Sequence, residues 1–243
     1  MTLSLISLML QAAQAGVDPS AVQARLRELE AVRSSRLAPH APEIAESDWL
    51  RAVGGDVITG YSSAPGSRAR IGWGIAVFDV SIDRMWAGLN DELEHKALLG
   101  LGHVELVSGQ PCANGRTVMM LLPLPLVSDR WWVVENRYNT ALAQQTEGRI
   151  RELTWQNVDS PRDAPLSAAA RSAVDGAVPV AFNVGAWLLI DIDGQHTLAE
   201  YHAWTDPGGD LPAGAASAFA NASIASTMKK MASYAQGSQL TCL

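Results

Sequence analysis

The residues that could do chemistry are few and scattered. Five histidines stand at His40, His95, His103, His196 and His202, with no H-x-x-x-H pair among them. There is no C-x-x-C, no G-x-S-x-G elbow and no P-loop, so metal ligation, serine hydrolysis and phosphate cradling have no motif to rest on. No metal and no cofactor is expected. Gly100-Leu101-Gly102 reads as a turn. A carboxylate such as Glu135 could act as a base, but nothing beside it in sequence suggests a reaction. The two cysteines, Cys112 and Cys242, fit a disulfide in an oxidising compartment or two free thiols.

The remaining distinctive residues bind rather than react. The chain has eight tryptophans against three phenylalanines. Tryptophan offers a wide apolar face and one donor, which suits cores and apolar pockets alike. Strand side chains alternate between faces. In 129–139 one face carries Arg130, Trp132, Val134, Asn136 and Tyr138. The other carries Trp131, Val133, Glu135 and Arg137, and its two charges turn it outward. In 149–158 Leu153, Trp155 and Asn157 share a face. In 196–205 Tyr201, Ala203 and Thr205 share one, with Glu200 and His202 opposite.

These residues need elements to hold them. RIGWGIAVFDV (70–80), VELVSG (104–109), RTVMMLLPLPL (116–126), DRWWVVENRYN (129–139), RIRELTWQNV (149–158), VPVAFNVGAWLLIDI (178–192) and HTLAEYHAWT (196–205) have strand composition. Asp193-Gly194 marks a hairpin between the last two. In 178–192 the Phe182-Val184-Ala186-Leu188 and Asn183-Trp187-Leu189 faces are both apolar, and the pattern does not choose between them. Short helices are expected over 48–53 and over 81–89, the latter with Ile82, Met85, Trp86 and Leu89 on one face. Residues 213–235 carry Ala216, Ala220, Ile224, Met228, Met231 and Ala235 at helical spacing. That stripe is small at one end and flexible at the other. It fits a helix packed on close neighbours, or one that roofs a cavity. Many consecutive strands and one long terminal helix imply an α+β fold with an antiparallel sheet.

The chain has 243 residues, 48% of them apolar and 18% charged, with a net charge of −7. The acidic balance argues against nucleic acid as a partner. No run of about 18 apolar residues exists to span a membrane. Residues 1–15 end in Ala13-Gln14-Ala15 after a short apolar stretch, the pattern of a signal peptide without its usual N-terminal cation. Periplasmic or secreted localisation follows if it is one, and cytoplasmic if it is an amphipathic helix. Residues 16–47 read as an N-terminal helix and linker, and 48–243 as the globular domain.

The stretch YHAWTDPGGDLP (201–212) ends a strand abruptly. Pro207 removes a donor, Gly208-Gly209 permit positive φ, and Asp210 with Pro212 can open a helix. A strand closed by Asp-Pro-Gly-Gly before a long terminal helix resembles the end of a START (steroidogenic acute regulatory protein-related lipid transfer) domain, of the helix-grip superfamily. Ser128-Asp129-Arg130-Trp131-Trp132-Val133 resembles that family's Arg-Asp-Phe strand opening, and Ser81 to Asp91 its early helix. The resemblance spans roughly 48–235; Ala213-Gly214-Ala215-Ala216 departs from the aromatic helix start common in the family. It implies a curved antiparallel sheet wrapped around the C-terminal helix and an internal apolar cavity. It implies a lipid-binding or lipid-transfer protein holding one hydrophobic ligand, a sterol, phospholipid or similar. A monomer with transient membrane contact, and no catalysis, is expected. The ligand would meet Trp132, Val134, Asn136, Trp155, Tyr201, Ala220, Ile224 and Met228. Core packing fits the aromatics equally, and a purely structural role fits Asn136. The alternative is a polyketide cyclase or dehydratase of the same superfamily, which needs titratable groups converging in the cavity. A third reading is an interaction module with the space under the helix filled.

Overall fold

The computed structural model describes residues 17–64, 69–209 and 213–242. The side chains of Pro19, Arg33, Glu46 and 213–223 lie outside the description, as do the expected leader at 1–15 and the Ala220 side chain. Among the described residues nine strands form one open sheet: β1 (Ile58–Ser63), β2 (Arg70–Phe78), β3 (His103–Ser108), β4 (Arg116–Leu122), β5 (Arg130–Tyr138), β6 (Ile150–Asn157), β7 (Val178–Pro179), β8 (Phe182–Asp191) and β9 (Thr197–Asp206). The order is β1-β2-β9-β8-β6-β5-β4-β3, antiparallel along that path, with β7 parallel beside the start of β5. The helices are α1 (Pro19–Val32), α2 (Glu46–Val53), α3 (Ile82–Leu89), α4 (His95–Leu99), α5 (Thr140–Gln145), α6 (Ala168–Ala173) and α7 (Ala213–Gly237).

Two strands differ from the sequence expectation. β1 was not anticipated, because ITGYSS has little apolar alternation; it is an edge strand paired only with β2. The run 178–192 is two strands. Val180 N–H donates to Trp131 O and Ala181 N–H to Asp206 O, so the chain leaves β5 and crosses to β9 at that point.

Helix α7 lies on one face of the sheet, the inner face. Its Ile224, Met228, Met231, Ala232 and Ala235 pack with Ala76, Leu153, Trp187, Leu189 and Ala199, and with the buried face of α3. That face of α3 consists of Ile82, Met85, Trp86 and Leu89, as their spacing predicts. The outer face is covered as well. Val22, Leu29 and Val32 of the N-terminal segment pack with Ile75, Leu188, Ile190 and Leu198. Leu166 and Ala170, in and before α6, cover Met119, Trp131 and Val133. This double cover explains why β8 is apolar on both faces.

The N-terminal segment also drives a charge into the outer face. Arg36 Nε reaches Glu152 at 3.1 Å, and its Nη1 lies 2.9 Å from Glu200 as an ion pair without hydrogen-bond alignment. The backbone N–H of Leu37 donates to Glu152 at 2.7 Å, and Asn139 Nδ2 donates to it at 2.8 Å. His202 lies 3.7 Å from Glu200, and both are buried. Burial alone would raise the Glu200 carboxyl, but the charge of Arg36 and the contact with His202 together outweigh it and hold the group below its usual 4.5. A depressed carboxyl contributes stability that is complete above pH 4.5 and is lost as pH falls through its lower folded value. We expect acid below pH 4.5 to loosen residues 19–38 first, read as hydrogen exchange that accelerates there before it does in β8.

Candidate ligand site on the inner face

Register sets the inner face in rows. One row runs Arg116, Asn136, Trp155, Gly185, Ala203 and Gly72; the next runs Tyr138, Leu153, Trp187, Tyr201 and Gly74. Val118, Val134 and Asn157 form a third row, which continues through the paired Asn183 and Thr205. Trp132 lies beside Met120 one step beyond. Trp132, Val134, Asn136, Trp155 and Tyr201 therefore share one surface, and Ile224 and Met228 of α7 face β2 across it.

Two glycine positions let this surface form. At Gly74 an added Cβ would lie 2.6 Å from Met228 Sδ and 2.8 Å from Ile224 Cγ2, so the bare backbone admits α7. At Gly185 it would lie 2.2 Å from the Trp155 ring. The indole instead lies across β8, and its Nε1 donates to Asn183 Oδ1 at 3.1 Å. Tyr201 then stacks on Trp155 at 5.8 Å and tilts against Trp187 at 4.6 Å. Trp155 and Tyr201 pack against the cluster that contains Ile224 and Met228 yet remain only half-buried, as does Trp132 on the same face. Burial pushes the Tyr201 phenol up to about 12, so it stays a neutral hydroxyl.

A polar network closes one end of this surface. Arg116 is fully buried and donates through Nε to Glu92 Oε1 at 2.6 Å. Its Nη2 also contacts that oxygen and Asn90 Oδ1, and Nη1 donates to Ala113 O at 2.9 Å. Asn136 Nδ2 donates to the same Glu92 oxygen at 2.9 Å. Tyr138 O–H donates to Asn90 Oδ1 at 2.7 Å, and burial pushes its phenol up to about 12, with Arg116 opposing. His95, buried beside this group, bonds Gly88 O at 3.1 Å; burial lowers its pKa, so it is neutral. The arrangement converges titratable groups, yet they bond one another. A carboxylate oxygen that accepts three N–H donors is poorly placed to take a proton from a ligand.

The far end of α7 is anchored. Tyr234 O–H donates to Asp91, Arg84 Nη1 to Gln236 O at 2.7 Å, and Gln236 Nε2 to Asp79 O at 3.1 Å. Cys112 and Cys242 form a disulfide that ties the tail after α7 to the loop between β3 and β4. At the near end Arg130 donates to Pro207 O at 2.8 Å and Gly208 O at 3.2 Å, fixing the Asp206-Pro-Gly-Gly corner to β5. Gly208 and Gly209 take positive φ, 65° and 64°, as the corner demands. A hollow of about 280 Å³ also exists between Val107, Thr117, Val158 and Ala164, away from α7.

No family model matches the chain, and no curated protein matches it. Solved structures do. A STAR-related lipid transfer protein fragment from Xanthomonas axonopodis superimposes with a TM-score of 0.60 at 19% identity, covering 80% of this chain and 97% of that one. Human StAR-related lipid transfer protein 5 gives 0.60 at 14% identity, covering 93% and 97%. The fold is that of START domains. It is α+β and helix-grip, with the sheet left open between β1 and β3. In START terms α7 is the gripped helix, and the Asp-Pro-Gly-Gly corner returns it across the sheet.

Sequence reasoning did not single out Glu92, Arg116 and Asn90. They meet only after 24 and 26 residues of separation, and no spacing rule joins a post-helix turn to a strand start. Asn183 belongs to the β8 face left open. It became inward because Glu200 and His202, on the opposite face of β9, lie under the N-terminal segment.

Proposed function

We propose that this chain is a lipid carrier that holds one apolar ligand between the inner face and the first half of α7. The observation that carries this is the half-buried aromatic surface of Trp132, Trp155 and Tyr201 on the face that bears α7, while the N-terminal segment and α6 cover much of the other face. A lining of this make-up, apolar with a few fixed polar groups, suits lipids. The START likeness supports the reading, since both superimposed proteins are named for lipid transfer. The mutual bonding of Glu92, Arg116, Asn136 and Tyr138 supports carriage over catalysis. A disulfide supports an oxidising compartment, consistent with a leader at 1–15. The carrier acts as a monomer that touches membranes transiently.

Native mass spectrometry of the purified protein, with lipid extraction, tests this. One co-purifying lipid per chain is expected. A bare protein that takes up neither added sterol nor phospholipid would overturn the reading. Membrane contact falls to the loop between β4 and β5. Leu126 there is fully exposed with Val127 beside it, and Arg130 links that loop to the corner before α7. Leu126→Asp should slow lipid transfer between vesicles about tenfold, as loss of one inserted leucine predicts, while binding of lipid delivered from detergent is unchanged. Equal transfer rates would place the contact elsewhere.

A further inference from the structure

Beyond general lipid carriage, the third row of the inner face specifies a ligand chemistry. Asn183 Oδ1 accepts from Trp155 Nε1 at 3.1 Å and from Thr205 Oγ1 at 3.0 Å. Its acceptor is thereby used, and its amide nitrogen donates to no partner among the described residues. One residue beyond the paired Gln156 and Val184, on the neighbouring strand, stands Asn157. Its Oδ1 is buried and has no donor among the described residues. A buried acceptor left open is disfavoured unless something satisfies it. One open acceptor on Asn157 and one amide donor on Asn183 together match a single hydroxyl, which both donates and accepts.

Charge points the same way. A buried phosphate needs an unpaired cation. Arg116 is paired with Glu92 and Arg151 with Asp83; Arg130 has no carboxylate partner, but its N–H groups are turned to the carbonyls of Ser128, Pro207 and Gly208, at the corner rather than at the two asparagines. Arg70, at the outer end of β2, is solvent-exposed over the Tyr61 ring. Residues 213–223 of the gripped helix include no lysine or arginine, and Lys229 and Lys230 are exposed. The roof therefore brings no cation wherever its side chains point.

We infer that Asn157 and Asn183, the latter held by Thr205 and Trp155, form a hydroxyl-binding subsite, and that the ligand is an uncharged lipid bearing a free hydroxyl rather than a phospholipid. This rests on the carrier reading. The chemistry fits a fused-ring alcohol or an acylglycerol.

The test measures equilibrium binding of dehydroergosterol, its 3-acetate, dioleoylglycerol and dioleoylphosphatidylcholine to the full disulfide-bonded chain. At least one of the two alcohols should bind, and phosphatidylcholine should bind more weakly than it. If the sterol is the ligand, its acetate should bind about tenfold more weakly, the worth of one well-made hydrogen bond. Asn157→Leu should keep the thermal midpoint, since it removes an unpartnered buried acceptor. It should weaken the preferred alcohol about tenfold and, for the sterol, abolish the preference over the acetate. Preferred binding of phosphatidylcholine would overturn the inference and leave the carrier standing. Undiminished alcohol binding by Asn157→Leu would overturn the subsite. Binding of none of the four lipids would overturn the carrier reading itself.

Discussion

Arg116→Leu is expected to lower the unfolding free energy by about 3–5 kcal/mol, the usual result of leaving one partner of a buried ion pair alone. Arg116 has no solvent exposure and Glu92 has 6%. The guanidinium joins Glu92, Asn90, Tyr138 and Ala113 O, so its loss leaves a carboxylate, an amide oxygen and a phenol to find new partners together. Urea unfolding of wild type and variant at pH 7 measures the loss. The double variant Glu92→Leu with Arg116→Leu separates the causes. If the buried charge is the main penalty, removing both partners restores much of the lost stability. If the double variant is no better than the single one, the packing of the arginine stem carries the effect instead.

Gly185→Ala is the second large effect, about 3 kcal/mol of destabilisation, at the upper end for overpacking. Its Cβ would meet two different obstacles: the Trp155 ring at 2.2 Å, which can turn, and the carbonyl oxygen of His202 at 2.4 Å, which belongs to the paired strand and cannot move without parting β8 from β9. Trp155→Ala in the same chain removes the first obstacle only. Thermal unfolding should therefore show Gly185→Ala still destabilising in a Trp155→Ala background, by less than in the wild type. Complete rescue would mean that the ring was the whole problem. Lipid binding by Gly185→Ala should fall as well, since the indole can no longer lie over β8 against Asn183.

The two faces of β5 were legible because Glu135 and Arg137 break the apolar pattern on one of them. β6 and β9 followed by alternation. β8 was not legible, because Trp187 and Leu189 lie under α7 while Leu188 and Ile190 lie under the N-terminal segment, and periodicity cannot rank two buried faces. The corner at 206–209 was readable from local backbone chemistry alone. The Glu92 network was not, since partners brought together by tertiary folding leave no trace in spacing. The same holds for Cys112 and Cys242, 130 residues apart, whose meeting depends on where α7 ends.

That disulfide has a mechanical consequence for the proposed carrier. The tail just after α7 is tethered to the loop between β3 and β4, so the last turns of the helix cannot move far from it. The first turns follow a two-glycine corner, and no cysteine lies among them. In the proposed carrier, opening would be the swing of a door on a riveted hinge. Its free edge would lie at the corner that Arg130 links to the Leu126 loop, the same loop proposed to touch the bilayer. A carrier built this way would load from one side. Reducing one bond would turn the door into a loose panel, with no preferred side from which cargo enters or leaves.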